Sequence, residues 1–477
     1  MIIIIIIVAL ILRVINLDQS LWLDEAINVN NATNLDYKTL VLNYSLGDFH
    51  PPLFHVVLKT WILLFGNSEI AVRSPSIIFA IFSILLVYLI AKKLYDKKTA
   101  LIAATLLATA PLHIYYSQEA RMYMLAAFLV SLSVYFFISL IKSDKIIYWI
   151  GFIASTSLML YTDYLPYLMI PTYLLFIFLN RKKIAKSTLV SFIPASLVIL
   201  ILLIPWLTLF PEQLKTGLSA SSASPAWTQV VGAASFKNFF LTFVKFTIGR
   251  ISLDNNLSYA LLFAPVAMYV VLLFLLSLFR MSKNRSFIFL WFFTPIVLGF
   301  AISFLIPVYA YFRFIFVLPA FYLIWASAIN TVNWALPIRI LLTFALIVNI
   351  SSSIIYFVNP RFHREHWREA TTYVKKESTN KTLILFESSL PFAPFDYYNR
   401  ESLNAKGAFK SFSATQKEVD LSMENLVQNN DKIFLFQYLS GITDPQGLVF
   451  KKLTNLGYEN ISTKDFPGVG FVYEFTY

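Results

Sequence analysis

The sequence predicts a polytopic helical membrane protein with a small α/β domain at its C-terminal end. Three observations carry this. Of the 477 residues, 58 % are hydrophobic and only 13 % charged, about half the charged share of an ordinary soluble domain. Apolar runs long enough for membrane helices recur as far as Val358, separated by short clusters of Lys and Arg. Beyond Val358 the apolar runs shorten to strand length and alternate with polar helical stretches. The net charge of +12 sits in those clusters, where it sets topology, so no nucleic-acid partner is expected. Cysteine is absent, which excludes disulfides and thiolate metal sites.

Taken in order, Ile2 to Leu17 reads as a first span, apolar except for Arg13, and no small-residue cleavage site follows it. The loop over residues 16–50 carries Asp18, Asp24, Glu25, Asp36 and Asp48 against Lys38 alone, and is expected to face away from the cytoplasm. Residues 52–65 are apolar but contain His55 and Lys59. They are shorter than the roughly twenty residues a span needs. Reading them as an interfacial helix keeps Lys92, Lys93, Lys97 and Lys98 inside, as the positive-inside tendency prefers. The remaining spans then fall near 70–91, 99–114, 122–141, 146–161, 164–180, 187–209, 257–279, 286–306, 312–330 and 336–358, about eleven transmembrane helices with the first. Basic turns at Lys142 to Lys145, Arg181 to Lys186 and Arg280 to Arg285 mark the cytoplasmic side. An outer loop over 210–256 has a Ser- and Ala-rich part, Gly217 to Trp227, that reads as mobile. Its second part, Ser235 to Arg250, sets Phe236, Phe239, Phe240, Phe243 and Phe246 at helical spacing. Strands are expected at 382–386, 432–436 and 470–475, with helices near 364–377 and 415–429. The domains are thus 1–358, a membrane domain including the outer loops 16–74 and 210–256, and 359–477, an extracytoplasmic soluble α/β domain.

Under this topology ionisable residues collect on one rim: Asp24 with Glu25, His50, Glu119 with Arg121, Asp163, and Arg313. Such groups are costly to desolvate and read by default as functional. Each also has a structural reading. Asp24 or Glu25 suits a helix cap or first turn, Glu119 with Arg121 an ion pair, Arg313 a snorkelling side chain, His50 a loop residue before Pro51-Pro52, and Asp163 a polar span end.

Leu21-Trp22-Leu23-Asp24-Glu25, His50-Pro51-Pro52-Leu53, Phe65-Gly66 with Arg73, and Tyr116-Ser117-Gln118-Glu119-Ala120-Arg121-Met122-Tyr123 occur in this order. With Phe312-Arg313-Phe314, Pro319 and His366-Trp367-Arg368-Glu369-Ala370, they resemble the signatures of GT-C fold glycosyltransferases. More narrowly, they are similar to the group related to protein O-mannosyltransferases and the aminoarabinose transferase of lipid A (glycosyltransferase family 39-like), over roughly residues 15–370. The resemblance implies a plasma-membrane, multi-pass enzyme with an extracytoplasmic active site. It would move a hexose or pentose, usually with inversion, from a polyprenyl-phosphate donor to a protein, lipid or glycan acceptor. It implies Asp24 as general base with Glu25 beside it, Glu119 near the reaction centre, and Arg121, Arg313 and His50 toward the donor phosphate. No cofactor is required and a divalent metal is optional, with His50 and Glu119 its candidate ligands; Pro51 departs from the lysine that relatives carry there.

Two other classes compete. A transporter or flippase of lipid-linked sugars predicts ionisable groups near the bilayer midplane, whereas the expected spans are nearly charge-free at their centres. An oligosaccharyltransferase of the same fold would carry Trp-Trp-Asp, and no Trp-Trp pair occurs. The sequons Asn380-Lys381-Thr382 and Asn460-Ile461-Ser462 are short enough to arise by chance.

Overall fold

The computed structural model describes residues 1–223, 232, 234–278, 286–331, 335–400 and 402–477. The basic turn from Arg280 to Arg285 lies outside the described residues. The stretch expected to be mobile is helical as far as Ala223, within Phe210–Ala223. Its remainder lies outside the described residues.

The chain divides into two compact units, one of residues 1–17 and 35–359, the other of 18–34 and 360–477. This differs from the sequence division at one place: the stretch bearing Asp24 and Glu25 belongs with the C-terminal residues.

Among the described residues of the first unit, six helices are long and apolar enough to cross a membrane: Glu69–Leu94, Tyr123–Lys142, Lys186–Leu207, Asn256–Leu278, Tyr311–Asn330 and Leu336–Val358. A seventh candidate is the pair Lys97–Ala108 and Pro111–Ser117, bent by 58°. The bend has a local cause. Pro111 disfavours helical backbone at the preceding residue, and Ala110 is extended. Four further expected spans fall on shorter apolar helices, Ile2–Val14, Ile146–Leu160, Leu165–Asn180 and Ser286–Ile302, and the stretch expected as one span at 99–114 is the bent pair. Leu53–Phe65, at 13 residues, is only about 20 Å long against a hydrocarbon core of about 30 Å.

Burial separates central from peripheral helices. The span windows in Tyr123–Lys142 and Tyr311–Asn330 are 72 % and 89 % buried, against 28 % in Lys186–Leu207 and Asn256–Leu278. One central helix begins just after a stretch singled out in the sequence, Glu119 to Arg121, and the other begins with one, Tyr311 to Arg313.

The second unit is built on a five-stranded sheet of order β2-β1-β3-β5-β4, with β1 Thr382–Phe386, β2 Ala405–Gly407, β3 Lys432–Phe436, β4 Glu459–Phe466 and β5 Gly470–Thr476. β1 pairs in parallel with β2 and β3, while β5 runs antiparallel to β3 and β4. β1 is buried along its whole length and β3 from Ile433 onward, as strands covered on both faces must be. Leu383, Leu385, Ile433 and Leu435 meet Val419, Met423 and Leu453 on one face. Ile384, Phe386, Phe434 and Phe436 meet Trp367, Val374 and Phe395 on the other. Trp367 is fully buried, stacked on Phe436 at 6.0 Å and edge-on to Tyr438 at 4.8 Å. Trp367→Ala is therefore expected to destabilise this unit by about 3–5 kcal/mol, read as faster hydrogen exchange of the β1 and β3 amides in the full-length protein.

Candidate active site

In the first unit the 58° bend sends the chain through Pro111–Ser117 into a short connection before Tyr123. Gln118, Glu119 and Arg121 are buried there. The Gln118 side-chain amide donates to the carbonyls of Arg13 (3.0 Å) and Ile15 (2.6 Å), and accepts from the Tyr356 hydroxyl at 2.8 Å. Ser76 Oγ donates to the Glu119 carbonyl at 2.6 Å. Arg13, itself buried, donates to the Ala108 carbonyl (3.0 Å), left without a helical partner by the break, and meets His113 Nδ1 at 2.8 Å. The connection is thus clamped from the first helix, from Glu69–Leu94 and from Leu336–Val358, which fixes Glu119 against a rigid frame.

The two stretches expected from the sequence meet here. Phe312 stacks on Tyr116 at 5.8 Å and lies edge-on to Tyr123, also at 5.8 Å. Arg313 follows directly and is half-buried, with no hydrogen-bond or ion-pair partner for its guanidinium among the described residues.

Arg250 was not singled out by the sequence as a site residue, yet it joins this group. Its Nη1 donates to the Tyr115 hydroxyl at 2.9 Å and the guanidinium lies over the Tyr115 ring at 4.8 Å. It is within electrostatic reach of Tyr116, Tyr311 and Glu119, while remaining exposed. Gly249 makes the approach feasible: its φ is +68°, and a Cβ there would lie 3.2 Å from Pro111 Cβ and 3.3 Å from the Leu112 nitrogen. The helix Phe236–Ile248 ends against the start of Pro111–Ser117. The available signal was the Gly249-Arg250 pair closing the phenylalanine ladder, a glycine stop followed at once by a cation.

His50 sits in a second cluster. Its Nδ1 meets the Asp48 carbonyl (2.7 Å) and Asp48 Oδ2 (3.2 Å), and the same Oδ2 meets His55 Nε2 at 3.1 Å. His55 Nδ1 lies 3.0 Å from Ser45 Oγ. Burial pushes the Asp48 carboxyl up, but the hydrogen bonds and charges of the two histidines outweigh it and hold it well below the usual carboxylate range. This fixes the His50 ring through its Nδ1. Asp163 is buried, and its Oδ1 accepts from the Tyr164 amide at 2.7 Å, which is the structural reading of that residue. Among the described residues no three His, Asp or Glu side chains gather in a way that could hold a metal ion, so no metal-bound step is derived for His50 or Glu119.

In the second unit Asp24 and Glu25 occupy the first turn of the helix Leu23–Asn34, where the helix dipole favours carboxylates. They differ sharply in environment. Glu25 is fully buried and its carboxylate turns back to the Trp22 amide at 3.5 Å, half of a capping box. Asp24 is partly exposed. The helix is tied down on both sides: the Leu21 amide donates to the Tyr398 hydroxyl (2.8 Å) and the Asn30 amide to the Ala393 carbonyl (3.0 Å). The structure therefore gathers Glu119, Arg250, Phe312 and Arg313 in one region of the first unit, keeps His50 with Asp48 and His55, and holds Asp24 and Glu25 in the second unit.

Comparison with known proteins defines the class. A family model described as dolichyl-phosphate-mannose-protein mannosyltransferase matches residues 49–208. YkcB of Bacillus subtilis (strain 168), to which a mannosyltransferase activity is ascribed, is 22 % identical over 205 residues, 39 % of this chain and 28 % of that protein. ArnT from Cupriavidus metallidurans superposes in its apo state with a TM-score of 0.58 at 12 % identity, covering 99 % of this chain and 97 % of ArnT. ArnT bound to undecaprenyl phosphate gives 0.57 at 13 %, with the same coverage. The archaeal oligosaccharyltransferase AglB from Archaeoglobus fulgidus, in complex with an inhibitory peptide and a dolichol-phosphate, gives 0.57 at 13 % over 99 % of this chain and 73 % of AglB. The chain has the GT-C fold of membrane glycosyltransferases. Within that class its sequence likeness runs to the mannosyltransferase family model, over about the first half of the membrane unit.

Proposed function

We propose that this protein is an inverting glycosyltransferase that moves a sugar from a polyprenyl-phosphate carrier to an acceptor hydroxyl on the outer face of the plasma membrane. The observation that carries the reading is the group of Arg250, just past the end of Phe236–Ile248, with Glu119 and Arg313, which lie at the starts of the two most buried candidate spans. Two cations with unspent hydrogen-bonding capacity suit a lipid phosphate, and helix starts add their own positive potential. The relatives support the donor class: ArnT binds undecaprenyl phosphate and AglB a dolichol-phosphate.

The chemistry divides as follows. Asp24, the partly exposed member of its pair, accepts the proton of the acceptor hydroxyl as that oxygen attacks the anomeric carbon. The bond from that carbon to the phosphate oxygen breaks, and its electron pair leaves with the polyprenyl phosphate. Arg250 and Arg313, with Arg121 and His50, hold the phosphate and stabilise the negative charge it gains. A phosphate leaves as an anion, so the step needs no general acid. It is written with no cofactor, and a divalent metal stays optional. Glu119 keeps the guanidinium of Arg250 oriented. Glu25 acts through its cap, by fixing the turn that carries Asp24. In this account about eleven helices span the bilayer, Leu53–Phe65 lies at its surface, and the second unit is extracytoplasmic.

A single displacement at the anomeric carbon inverts it. The product formed from a donor of known anomeric configuration is expected to carry the opposite one by NMR; a retained configuration would contradict the reading, since retention requires a second displacement.

A further inference from the structure

We propose that Glu365 is a positioning residue for the base Asp24: seated between Trp367 and Tyr438, it lies against the Leu23 amide at the start of the Asp24 helix and within electrostatic reach of the Asp24 carboxylate. The inference rests on the reading of Asp24 as general base.

The geometry fixes Glu365 from every side. Trp367 Nε1 donates to its Oε2 at 2.7 Å and the Tyr438 hydroxyl to its Oε1 at 3.0 Å, so each carboxylate oxygen has its own donor. The Leu23 backbone N–H acts on the same carboxylate. Its carbonyl accepts from Ser20 Oγ, and Ser20 Oγ accepts from the Trp367 amide at 3.0 Å. The neighbouring Arg364 amide donates to Gln19 Oε1 at 2.8 Å, and Arg368 donates to the Asp18 carbonyl. Residues 364–368 thus form a strap along residues 18–23, immediately before Asp24. From the far side the β4–β5 turn presses on the strap. His366 N donates to the Pro467 carbonyl at 2.9 Å, and Gly468, at φ +79°, comes so close that a Cβ there would lie 2.9 Å from Glu365 Cα. Only glycine fits. The motif His366-Trp367-Arg368, which the reaction itself leaves unused, gains a purpose here.

Two titratable groups act on Glu365, Asp24 from its helix and Tyr438 from the end of β3. Burial first, and the Asp24 charge with it, push the Glu365 carboxyl up to about 7 against the pull of its three donors. Glu365 is therefore neutral below pH 7 and charged above it. Ionised, it sets a second negative charge beside Asp24 and strengthens the pull of Asp24 on the acceptor proton. The sign follows: transfer gains an upward inflection near pH 7 that belongs to Glu365. The protein's stability runs the opposite way, since a raised carboxyl contributes fully at low pH and its contribution is lost as pH rises toward 7.

The test uses the full-length protein with 15N-labelled indoles, the Trp367 Hε1 resonance being assigned by its loss in Trp367→Phe. That resonance is expected to titrate with a midpoint near pH 7, and Asp24→Asn to move the midpoint down because a neighbouring negative charge is gone. Glu365→Gln, which keeps shape and one acceptor, is expected to remove the titration and the rate inflection, and to slow transfer about tenfold at pH 8, the effect of one pKa unit, with little change at pH 6. An unmoved midpoint in Asp24→Asn, or an inflection that survives in Glu365→Gln, overturns the inference. The midpoint is read without activity, so it decides even where Glu365→Gln folds poorly. An inactive Asp24→Asn with an unmoved midpoint ends this inference and leaves the base assignment standing; a fully active Asp24→Asn ends both.

Discussion

Asp24→Asn is expected to lower the rate of sugar transfer about a thousandfold, within the range that a positioned general base contributes, with yield and folding unchanged. The substitution keeps the side chain's size and removes its charge and basicity. Asp24 lies in the first turn of its helix, so the charge also interacts with the helix dipole, but that contribution is at most about 1 kcal/mol at an exposed site. A loss of cap stability on that scale leaves the protein folded and active, and so cannot imitate the expected loss of rate. The discriminating readout is kcat under donor saturation: loss of a base lowers kcat, whereas a weakened helix start lowers the amount of active protein. Asp24→Asn with wild-type kcat returns the carboxylate to the role of a first-turn residue.

Arg250→Ala carries the second large effect, a fall of about a hundredfold in kcat/KM. Arg250 is exposed, yet one donor is spent on the Tyr115 hydroxyl at 2.9 Å and the ring beneath it holds the guanidinium plane. The Tyr311 hydroxyl is a second partner of the guanidinium, and the donors that remain are presented without the entropy cost of ordering a long side chain. Because the donor phosphate gains charge as its bond to the sugar breaks, most of the loss is expected in kcat and less in KM. Arg250→Lys keeps the charge but not the planar fork and is expected to recover part of the activity. Equal activity in wild type and Arg250→Ala would remove Arg250 from the phosphate site.

The apolar helices were legible because a helix facing lipid must be apolar over most of its length whatever it packs against, so hydropathy alone locates it. The bend at Ala110 was not marked, although Pro111 was its visible cause. In the second unit β1, β3 and β5 were legible as short apolar runs. β4 was not: Glu459 to Phe466 is almost wholly exposed, and a polar edge strand looks like a loop. β2 has three residues, too few for any periodicity. The meeting of the stretches around Glu119 and Arg313 was legible where chemistry and motif coincided. The site was illegible where a residue's meaning comes from a partner far along the chain, as with Arg250 and Tyr115, 135 positions apart. The attachment of residues 18–34 to the C-terminal unit was hidden for the same reason, since its anchors are Tyr398, Ala393 and the strap at 364–368.

The most direct test of the glycosyltransferase reading is transfer of labelled sugar from a panel of polyprenyl-phosphate monosaccharides by the purified protein in lipid vesicles, with membrane extract as the acceptor source. The account predicts a new glycosidic bond and release of polyprenyl phosphate from at least one donor. Movement of the intact donor across the bilayer with no new bond would contradict it and favour a carrier of lipid-linked sugars.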